Sequence, residues 1–388
     1  MNKKVVIKMK IVIATDSFKG SLTSNEVARI IENEFRDQFA DLKVIKLSIA
    51  DGGEGTVDSV INSIGGKLVT KRVKGPLNNY VNAYYGLSKD NSVAYIEMAS
   101  SSGLMLVAEH ERNPLKTSTY GFGQLIIDAL DKGSQKIVLG LGGSATNDGG
   151  TGMAEALGVK FYNSKGELVE NLRGEVLGDI SKIDISNNDS RIAGTEFIVA
   201  SDVKNPLLGN EGATFVYGPQ KGANPEMVSL LEANMNNYNN VVLRDFKVDL
   251  ANKKGSGAAG GLGYGTMFFL NAKMQSGIDL LLDIIDFDKH IEDAAFVITG
   301  EGKIDAQSIY GKAPFGVLSR CKEKNIDVYA IAGQVENVEY LLELGFKKVY
   351  SVVPSVATLD ESLNNPEENL RKLVRRIVDE LKGALQVY

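Results

Sequence analysis

The sequence predicts an α/β protein in which a five-stranded parallel sheet is interrupted by a large inserted domain. The chain opens with two strand–loop–helix units, the first beginning with the β-branched run Lys10-Ile-Val-Ile-Ala14. From Ala295 onward, strands and helices alternate again. The part between them differs in its order of elements, because it begins with consecutive strands that have no helices between them. We therefore predict one domain from residues 1–65 and 294–388, and an inserted mixed α/β domain over residues 66–293.

The first domain has apolar runs of strand length separated by amphipathic helices. The predicted strands are residues 10–14, 44–49, 296–299, 328–332 and 348–353, and the predicted helices are 26–39, 57–64, 312–324, 336–344 and 361–383. In a flavodoxin-like order 2-1-3-4-5, the switch point falls between the first and third strands. Ligands bind beyond the carboxyl ends of strands at such a point. The loops expected there are Asp16–Gly20 and Gly300–Asp305.

The inserted domain begins with three runs that turns join directly. They span residues 68–73, 81–87 and 93–98 and predict an antiparallel meander. Further along we predict a helix at 121–130, strands at 136–139 and 196–200, and helices within 224–252 and 279–292.

The stretch Gly140–Gly152, with the sequence GLGGSATNDGGTG, lies between a predicted strand and a predicted helix. Glycine permits positive φ and close approach of a ligand to the backbone N–H groups, and a helix N-terminus favours anions. We therefore predict that this loop surrounds an anion. Its candidate binding residues are Gly142, Gly143, Ser144 and Asn147, and a second glycine cluster, Gly255–Gly263, adds Gly260 and Gly261.

Composition excludes several classes of function. A net charge of −6 without a long basic run argues against a nucleic-acid surface. The single cysteine, Cys321, forms no internal disulfide, and we find no signal peptide or apolar run long enough to span a membrane. We expect a cytoplasmic protein. Because His110 and His290 lie among charged residues away from the glycine loops, any general base is expected to be a carboxylate.

Acidic residues and lysines are gathered in the predicted loops. They are Asp16, Asp51, Glu54, Asp148, Asp202, Glu301 and Asp305, with Lys19, Lys221 and Lys303. A single acidic loop residue is more often a turn former or a helix cap. Seven at the ends of predicted strands, together with lysines and glycine loops, favour phosphoryl transfer, in which carboxylates bind metal and cations meet developing charge.

Two other classes of function remain open at this point. Gly140-Leu-Gly-Gly-Ser-Ala145 fits a dinucleotide fingerprint, which would indicate an NAD(P)-dependent hydroxy-acid dehydrogenase. However, Lys160-Phe-Tyr-Asn163 stands about twenty residues on, where an acidic residue is required. A non-catalytic sensor of an organic acid is not separated from an enzyme by spacing alone.

Across nearly its whole length the chain resembles the class I glycerate kinases. The matching motifs are Asp16–Ser21, Ala50–Thr56, Asn113–Leu115 with Thr119–Gly121, Gly142–Gly150, Asp202 with Asn205–Leu207, Gly218–Gly222, Gly257–Gly263 and Thr299–Gly302. The resemblance implies ATP-dependent phosphorylation of D-glycerate, usually on the 2-hydroxyl, with Mg²⁺, by a flavodoxin-like domain with a large insertion. Thr15 and Lys303 depart from the family, which often has proline and arginine there.

On this basis each candidate residue has an expected role. Asp202 is the expected general base, with Asp305 and Asp148 as rivals, while Lys19 and Lys303 bind an anion and Asp51 and Glu54 bind Mg²⁺. The remaining candidate contacts to substrate or nucleotide are Ser17, Glu301, Asn205, Lys221 and the glycine loops. We expect them to meet in a cleft between the two domains. The sequence leaves open which loop binds ATP, which binds glycerate, and whether the protein is a homodimer.

Overall fold

The structure, a computed structural model, describes residues 9–18, 20–39, 41–49, 57, 60–61, 65–305 and 312–385. The chain forms two compact units. The first consists of Met1–Asp51 and Ile278–Tyr388, and the second of Gly52–Gly277.

The first unit begins with a strand, a helix and a second strand. These are β1 (Lys10–Thr15), α1 (Ser24–Gln38) and β2 (Lys43–Ser48). Helix α1 starts where the sequence supplies a capping box, since the Thr23 hydroxyl accepts from the Glu26 N–H and the Glu26 carboxylate accepts from the Thr23 N–H. Its apolar residues recur at helical spacing and are buried against the sheet.

The second unit opens with the predicted meander and continues with alternating strands and helices. Its strands are β3 (Lys67–Lys74), β4 (Tyr80–Leu87), β5 (Val93–Glu97), β6 (Lys136–Gly140), β7 (Lys160–Tyr162), β8 (Leu168–Val169), β9 (Lys182–Asp184), β10 (Glu196–Ala200) and β11 (Lys273–Gln275). Its helices are α2 (Ala99–Ser102), α3 (Tyr120–Asp131), α4 (Thr151–Ala156), α5 (Ala213–Tyr217), α6 (Pro225–Phe246) and α7 (Ala258–Phe269).

The chain then returns to the first unit. The returning helices are α8 (Gly277–Ile284), α9 (Phe287–His290), α10 (Ala313–Glu323), α11 (Val338–Glu343), α12 (Leu359–Asn364) and α13 (Pro366–Leu385). The returning strands are β12 (Phe296–Ile304), β13 (Val328–Val335) and β14 (Lys348–Val353).

The sheet of the first unit has the order β14-β13-β12-β1-β2, and all four strand pairs are parallel. Counted along this unit alone, its strands lie in the order 2-1-3-4-5. Strand β1 pairs with β12, with Thr15 opposite Gly300. Its core is formed by apolar side chains of the sheet packed against α1 and α13, including Ile11, Phe35 and Leu373.

The main sheet of the second unit has the order β11-β10-β6-β5-β4-β3. Strands β3, β4 and β5 are antiparallel, as the meander predicts, but β5 also pairs in parallel with β6, which pairs in parallel with β10. This unit is therefore mixed. A small sheet of order β8-β7-β9, which the sequence analysis did not predict, lies in the same unit.

The unit boundaries lie earlier in the chain than the predicted ones at 65/66 and 293/294. Val57 and Ile61 belong with the second unit because they pack on β4 beside Gly86, where an added Cβ would lie 2.6 Å from Ile61. Helix α8 belongs with the first unit because Ile278 packs on Gly316 of α10, where a Cβ would lie 2.3 Å from the Ile278 side chain.

Candidate functional site

The switch point of the first unit lies between the ends of β1 and β12. Asp16 directly follows β1, and its N–H donates to the Gly300 carbonyl at 2.8 Å. The Asp16 carboxylate, which is 7% exposed, accepts from the Ser17 N–H at 2.5 Å. The two sequence stretches predicted to meet at this point are therefore side by side.

The predicted loop Gly300–Asp305 is wrong in one respect, because β12 continues to Ile304. Glu301 and Lys303 lie opposite Ala332 and Gln334 of β13, so backbone pairing extends the strand through the charged residues. Side chains alternate along a strand, and Glu301 and Lys303 therefore lie on the same face of the sheet. A run of charged residues and glycines had indicated a loop, but pairing with a long neighbour prevailed over local composition.

Charged groups converge on this face of β12. The carboxylate of Glu301, a residue that is 7% exposed, lies 3.3 Å from the Lys312 amine, while Lys303 pairs with Glu336 at 2.7 Å and lies 3.9 Å from Asp305. Hydrogen bonding to Glu336 raises the pKa of Lys303. The sequence analysis did not select Lys312, which stands one residue before α10.

A cavity of about 260 Å³ lies beside these charges. Its lining is Ser17, Phe18, Ser21, Glu301, Gly302, Lys303, Lys312, Gly333, Gln334, Val352, Leu359, Ser362, Leu363, Pro366 and Leu370. Three charged residues, Glu301, Lys303 and Lys312, thus share one cavity with apolar residues from α12 and α13. Three predicted residues, Lys19, Asp51 and Glu54, lie outside the described residues.

A second edge is formed in the second unit by the carboxyl ends of its parallel strands. Glu97, Gly140, Ala200 and Gln275 are aligned by the pairing of β5, β6, β10 and β11. The residues that follow these strands therefore start from the same edge of the sheet.

Four predicted residues lie close to this edge on the chain. Gly142 and Gly143 are exposed directly after β6, and Asp202 is partly buried two residues after β10. Ser144 is 8% exposed and forms an isolated bridge with Gly103. Because Ala200 pairs with Gly140, the chain segments that contain Asp202 and the exposed glycines leave the sheet from neighbouring strands of this edge.

Glu97, at the end of β5, is a residue of this edge that sequence analysis missed. It is 5% exposed, and its carboxylate accepts from the Val57 N–H at 2.8 Å. Val57 directly follows the stretch that contains Asp51 and Glu54. The available signal was an acidic residue ending an apolar strand, but the meander pattern concealed that β5 also has a parallel partner.

The rest of the glycine loop is buried, and Asp148 lies at its centre. The Asp148 side chain is fully buried and accepts hydrogen bonds from the N–H and hydroxyl of Thr119 and from the N–H groups of Gly150 and Gly152. Burial raises the pKa of Asp148, and these hydrogen bonds oppose the shift. This carboxylate holds the start of α4 and does not reach solvent.

Asn147 and the second glycine cluster pack against the same buried segment. Asn147 is fully buried and donates from its amide to the Thr214 hydroxyl at 3.1 Å. Gly260 and Gly261 lie in a left-handed interruption near the start of α7 and are also buried. The Gly149 N–H donates to the Gly260 carbonyl. Many of these glycines therefore serve the close approach of two backbone segments.

Lys221 belongs to this buried layer as well. It is 2% exposed, and its amine donates to the Thr146 carbonyl at 2.7 Å. Burial lowers the pKa of Lys221 to about 7, while the charge of Asp148 opposes the shift. Lys221 thus stabilises the glycine loop through a hydrogen bond on its buried side.

The titration of Lys221 gives a test of this arrangement. In the unfolded chain the Lys221 amine has a pKa of about 10.4. In the folded protein its pKa is about 7. Between these values the unfolded state binds more protons, so the free energy of unfolding of the wild type should rise with pH relative to Lys221→Met, by at most about 1.4 kcal/mol per pH unit. Urea unfolding of both proteins across this window measures the difference. Lys253→Met, at an exposed lysine, controls for the lost charge, and parallel pH profiles of wild type and Lys221→Met would contradict the assignment.

Asn205 is held by the protein at both ends of its side chain. Its amide donates to the Glu211 carbonyl and its side-chain oxygen accepts from the Tyr217 hydroxyl, both at 2.7 Å. Its own carbonyl accepts from the Gly257 N–H. Asn205 therefore connects the loop that contains Asp202 with the second glycine cluster.

Taken together, carboxylates, lysines and a glycine loop at the carboxyl ends of parallel strands are features of α/β enzymes that handle phosphorylated small molecules. Comparison with known proteins identifies which enzymes these are. The model of the glycerate kinase family matches residues 11–382. The chain belongs to the glycerate kinase family and is a kinase.

Individual relatives cover almost the whole chain. A glycerate kinase of Bacillus cereus is 47% identical over 370 residues, covering 95% of this chain and 97% of the relative. Glycerate 2-kinase of Escherichia coli is 44% identical over 370 residues, with the same coverage. A crystal structure assigned to glycerate kinase 2 of Salmonella typhimurium LT2 superposes with a TM-score of 0.88 at 44% identity, covering 98% of this chain and 100% of that one.

Family membership does not support the two alternative classes considered above, the nicotinamide enzyme and the non-catalytic sensor. The structure supplies a physical reason for rejecting the dinucleotide fingerprint. Helix α4 begins only at Thr151, well beyond Ala145, and contains six residues. In a dinucleotide fold the fingerprint itself opens the helix.

Among the described residues, no helix combines the length and apolar character needed to cross a membrane.

Proposed function

We propose that this kinase transfers the γ-phosphoryl group of ATP to the 2-hydroxyl of D-glycerate, giving 2-phospho-D-glycerate. The observation that carries the proposal is the similarity to E. coli glycerate 2-kinase over 95% of the chain. The charged switch point of the first unit and the glycine-rich edge of the second supply suitable chemistry, namely cations for phosphate, N–H groups for oxyanions and a carboxylate for the proton. We further propose that the flavodoxin-like strand order places the anion site at the β1/β12 switch point.

In this proposal Asp202 accepts the proton of the 2-hydroxyl. It is partly exposed and follows β10, the strand paired with β6 that precedes the exposed Gly142 and Gly143, in contrast to Asp148, which is fully buried. A carboxylate serves here because proton transfer comes late in a loose transition state, as in protein kinases. The glycine loop orients the acid substrate, and Lys221 and Asp148 keep that loop in place from within.

Mg²⁺ is expected with the nucleotide. Among the described residues no group of three or more His, Cys, Asp or Glu side chains is placed to share a metal ion. The carboxylate of Glu97, which accepts from the N–H of Val57 directly after the stretch that contains Asp51 and Glu54, is a hard oxygen donor of the kind that suits Mg²⁺, an ion that needs only one or two carboxylates. We propose that Asp51 and Glu54 hold the ion, which would neutralise charge on the phosphate oxygens.

The reaction and its position are tested together. Purified protein with ATP and Mg²⁺ should release ADP only when D-glycerate is present. In proton-coupled ³¹P spectra the product should give a doublet, because the 2-oxygen is attached to a carbon with one hydrogen. A triplet would assign phosphorylation to the 3-hydroxyl, and absence of D-glycerate-dependent ADP release would overturn the kinase assignment to this substrate.

A further inference from the structure

One wall of the cavity in the first unit is apolar, and two of its leucines are exposed to solvent. Leu359 and Leu363 of α12 are 46% and 56% exposed, and Val352 and Leu370 line the cavity beside them. Exposed leucines are ordinary when they are scattered. Here they lie together in a cavity whose charged lining residues are two lysines, Lys303 and Lys312, and one carboxylate, Glu301. The excess of cations beside an apolar wall points to a ligand with both an apolar and an anionic part.

D-glycerate does not fit this description. Each of its three carbons carries oxygen, so it has no apolar face to remove from water. A nucleotide has both parts, since a purine ring packs on aliphatic side chains while its phosphates require cations.

The polar groups of the cavity suit the remaining parts of a nucleotide. Lys303 lies opposite Gln334 in the sheet, which places an amide beside the cation, and Ser362 supplies a hydroxyl on the leucine side. Lys303 is held by Glu336 in an exposed ion pair, and such pairs are weak enough to be exchanged for phosphate. Lys312 lies at the same cavity beside Glu301.

We infer that this cavity is the nucleotide site, with the adenine ring against Leu359 and Leu363 and the phosphates toward Lys303 and Lys312. The inference rests on the proposed ATP-dependent function and assigns the acid substrate to the glycine-rich edge of the second unit.

The test separates binding of the base from binding of the phosphates. The full-length protein is titrated calorimetrically with ADP and with tripolyphosphate. In the double variant Leu359→Asn/Leu363→Asn, the dissociation constant for ADP should rise about tenfold, while that for tripolyphosphate and the KM for D-glycerate stay unchanged. Because both leucines are exposed, the fold should persist, and thermal unfolding verifies this. Leu230→Asn/Leu243→Asn, at two exposed leucines of α6, is the matched control and should leave ADP binding unaltered.

Two results would overturn the inference while leaving the kinase function intact. One is an unchanged affinity for ADP in the double variant when the wild type binds ADP. The other is a double variant in which the KM for D-glycerate rises and the affinity for ADP does not fall. If the wild type neither binds ADP nor turns over ATP with D-glycerate, both the inference and the proposed function fail.

Discussion

Replacing Asp202 by asparagine is expected to lower kcat by about 10²–10⁴-fold, with little change in the KM for ATP. Asparagine keeps the size and a hydrogen-bonding oxygen of the side chain but accepts no proton at neutral pH. The partial exposure of Asp202 means that the substitution should have little effect on stability. Steady-state kinetics with D-glycerate and ATP, together with thermal unfolding of the same preparations, measure both quantities.

The rival carboxylates provide the controls for this experiment. Asp148→Asn should reduce the free energy of unfolding, because Asp148 is fully buried and its hydrogen bonds to Thr119, Gly150 and Gly152 hold the start of α4. Asp305→Asn changes a partly buried residue near Lys303 in the other unit and should weaken anion binding more than turnover. Near-normal turnover in Asp202→Asn, with a large kcat loss in Asp305→Asn, would transfer the base role to Asp305.

The strands and helices of the first unit were largely predictable because its sequence repeats a local pattern. Apolar strand runs such as residues 10–14 and 328–332 contain β-branched residues and are separated by amphipathic helices, so short windows suffice to locate them. The end of β12 was not predictable in this way. Glu301 and Lys303 belong to a strand only because β13 extends alongside them, which is a non-local effect.

In the second unit, sequence analysis located the glycine loop but did not predict which of its residues are buried and which are exposed. The candidates Asn147, Asp148 and Lys221 all proved buried, while Gly142 and Gly143 are exposed. A polar residue within a glycine-rich stretch looks the same in sequence whether it faces a ligand or supports the loop. Burial depends on α7 packing against the loop. The sequence analysis did not predict this helix, because its first residues belong to the glycine cluster Gly255–Gly263, which was interpreted as a second binding loop.

Gly260→Ala is expected to lower the free energy of unfolding by about 2–4 kcal/mol. Gly260 has φ of +66°, and a Cβ there would lie 2.0 Å from the Thr146 carbonyl oxygen and 2.7 Å from the Asn147 Cα. These are backbone atoms, so no side-chain rotation relieves the overlap. The Thr146 carbonyl also accepts from Lys221, and its displacement should therefore disturb the buried amine and the exposed part of the glycine loop together.

Chemical unfolding measures the stability loss, and kinetics of the folded fraction should show a raised KM for D-glycerate with the KM for ATP nearly unchanged. Gly194→Ala is the matched control, since Gly194 is exposed and an added Cβ meets no atom within 4 Å. Equal stability of Gly260→Ala and Gly194→Ala would mean that the two glycine segments are not packed as closely as the structure has them, and the role of the second cluster as a support for the loop would have to be abandoned.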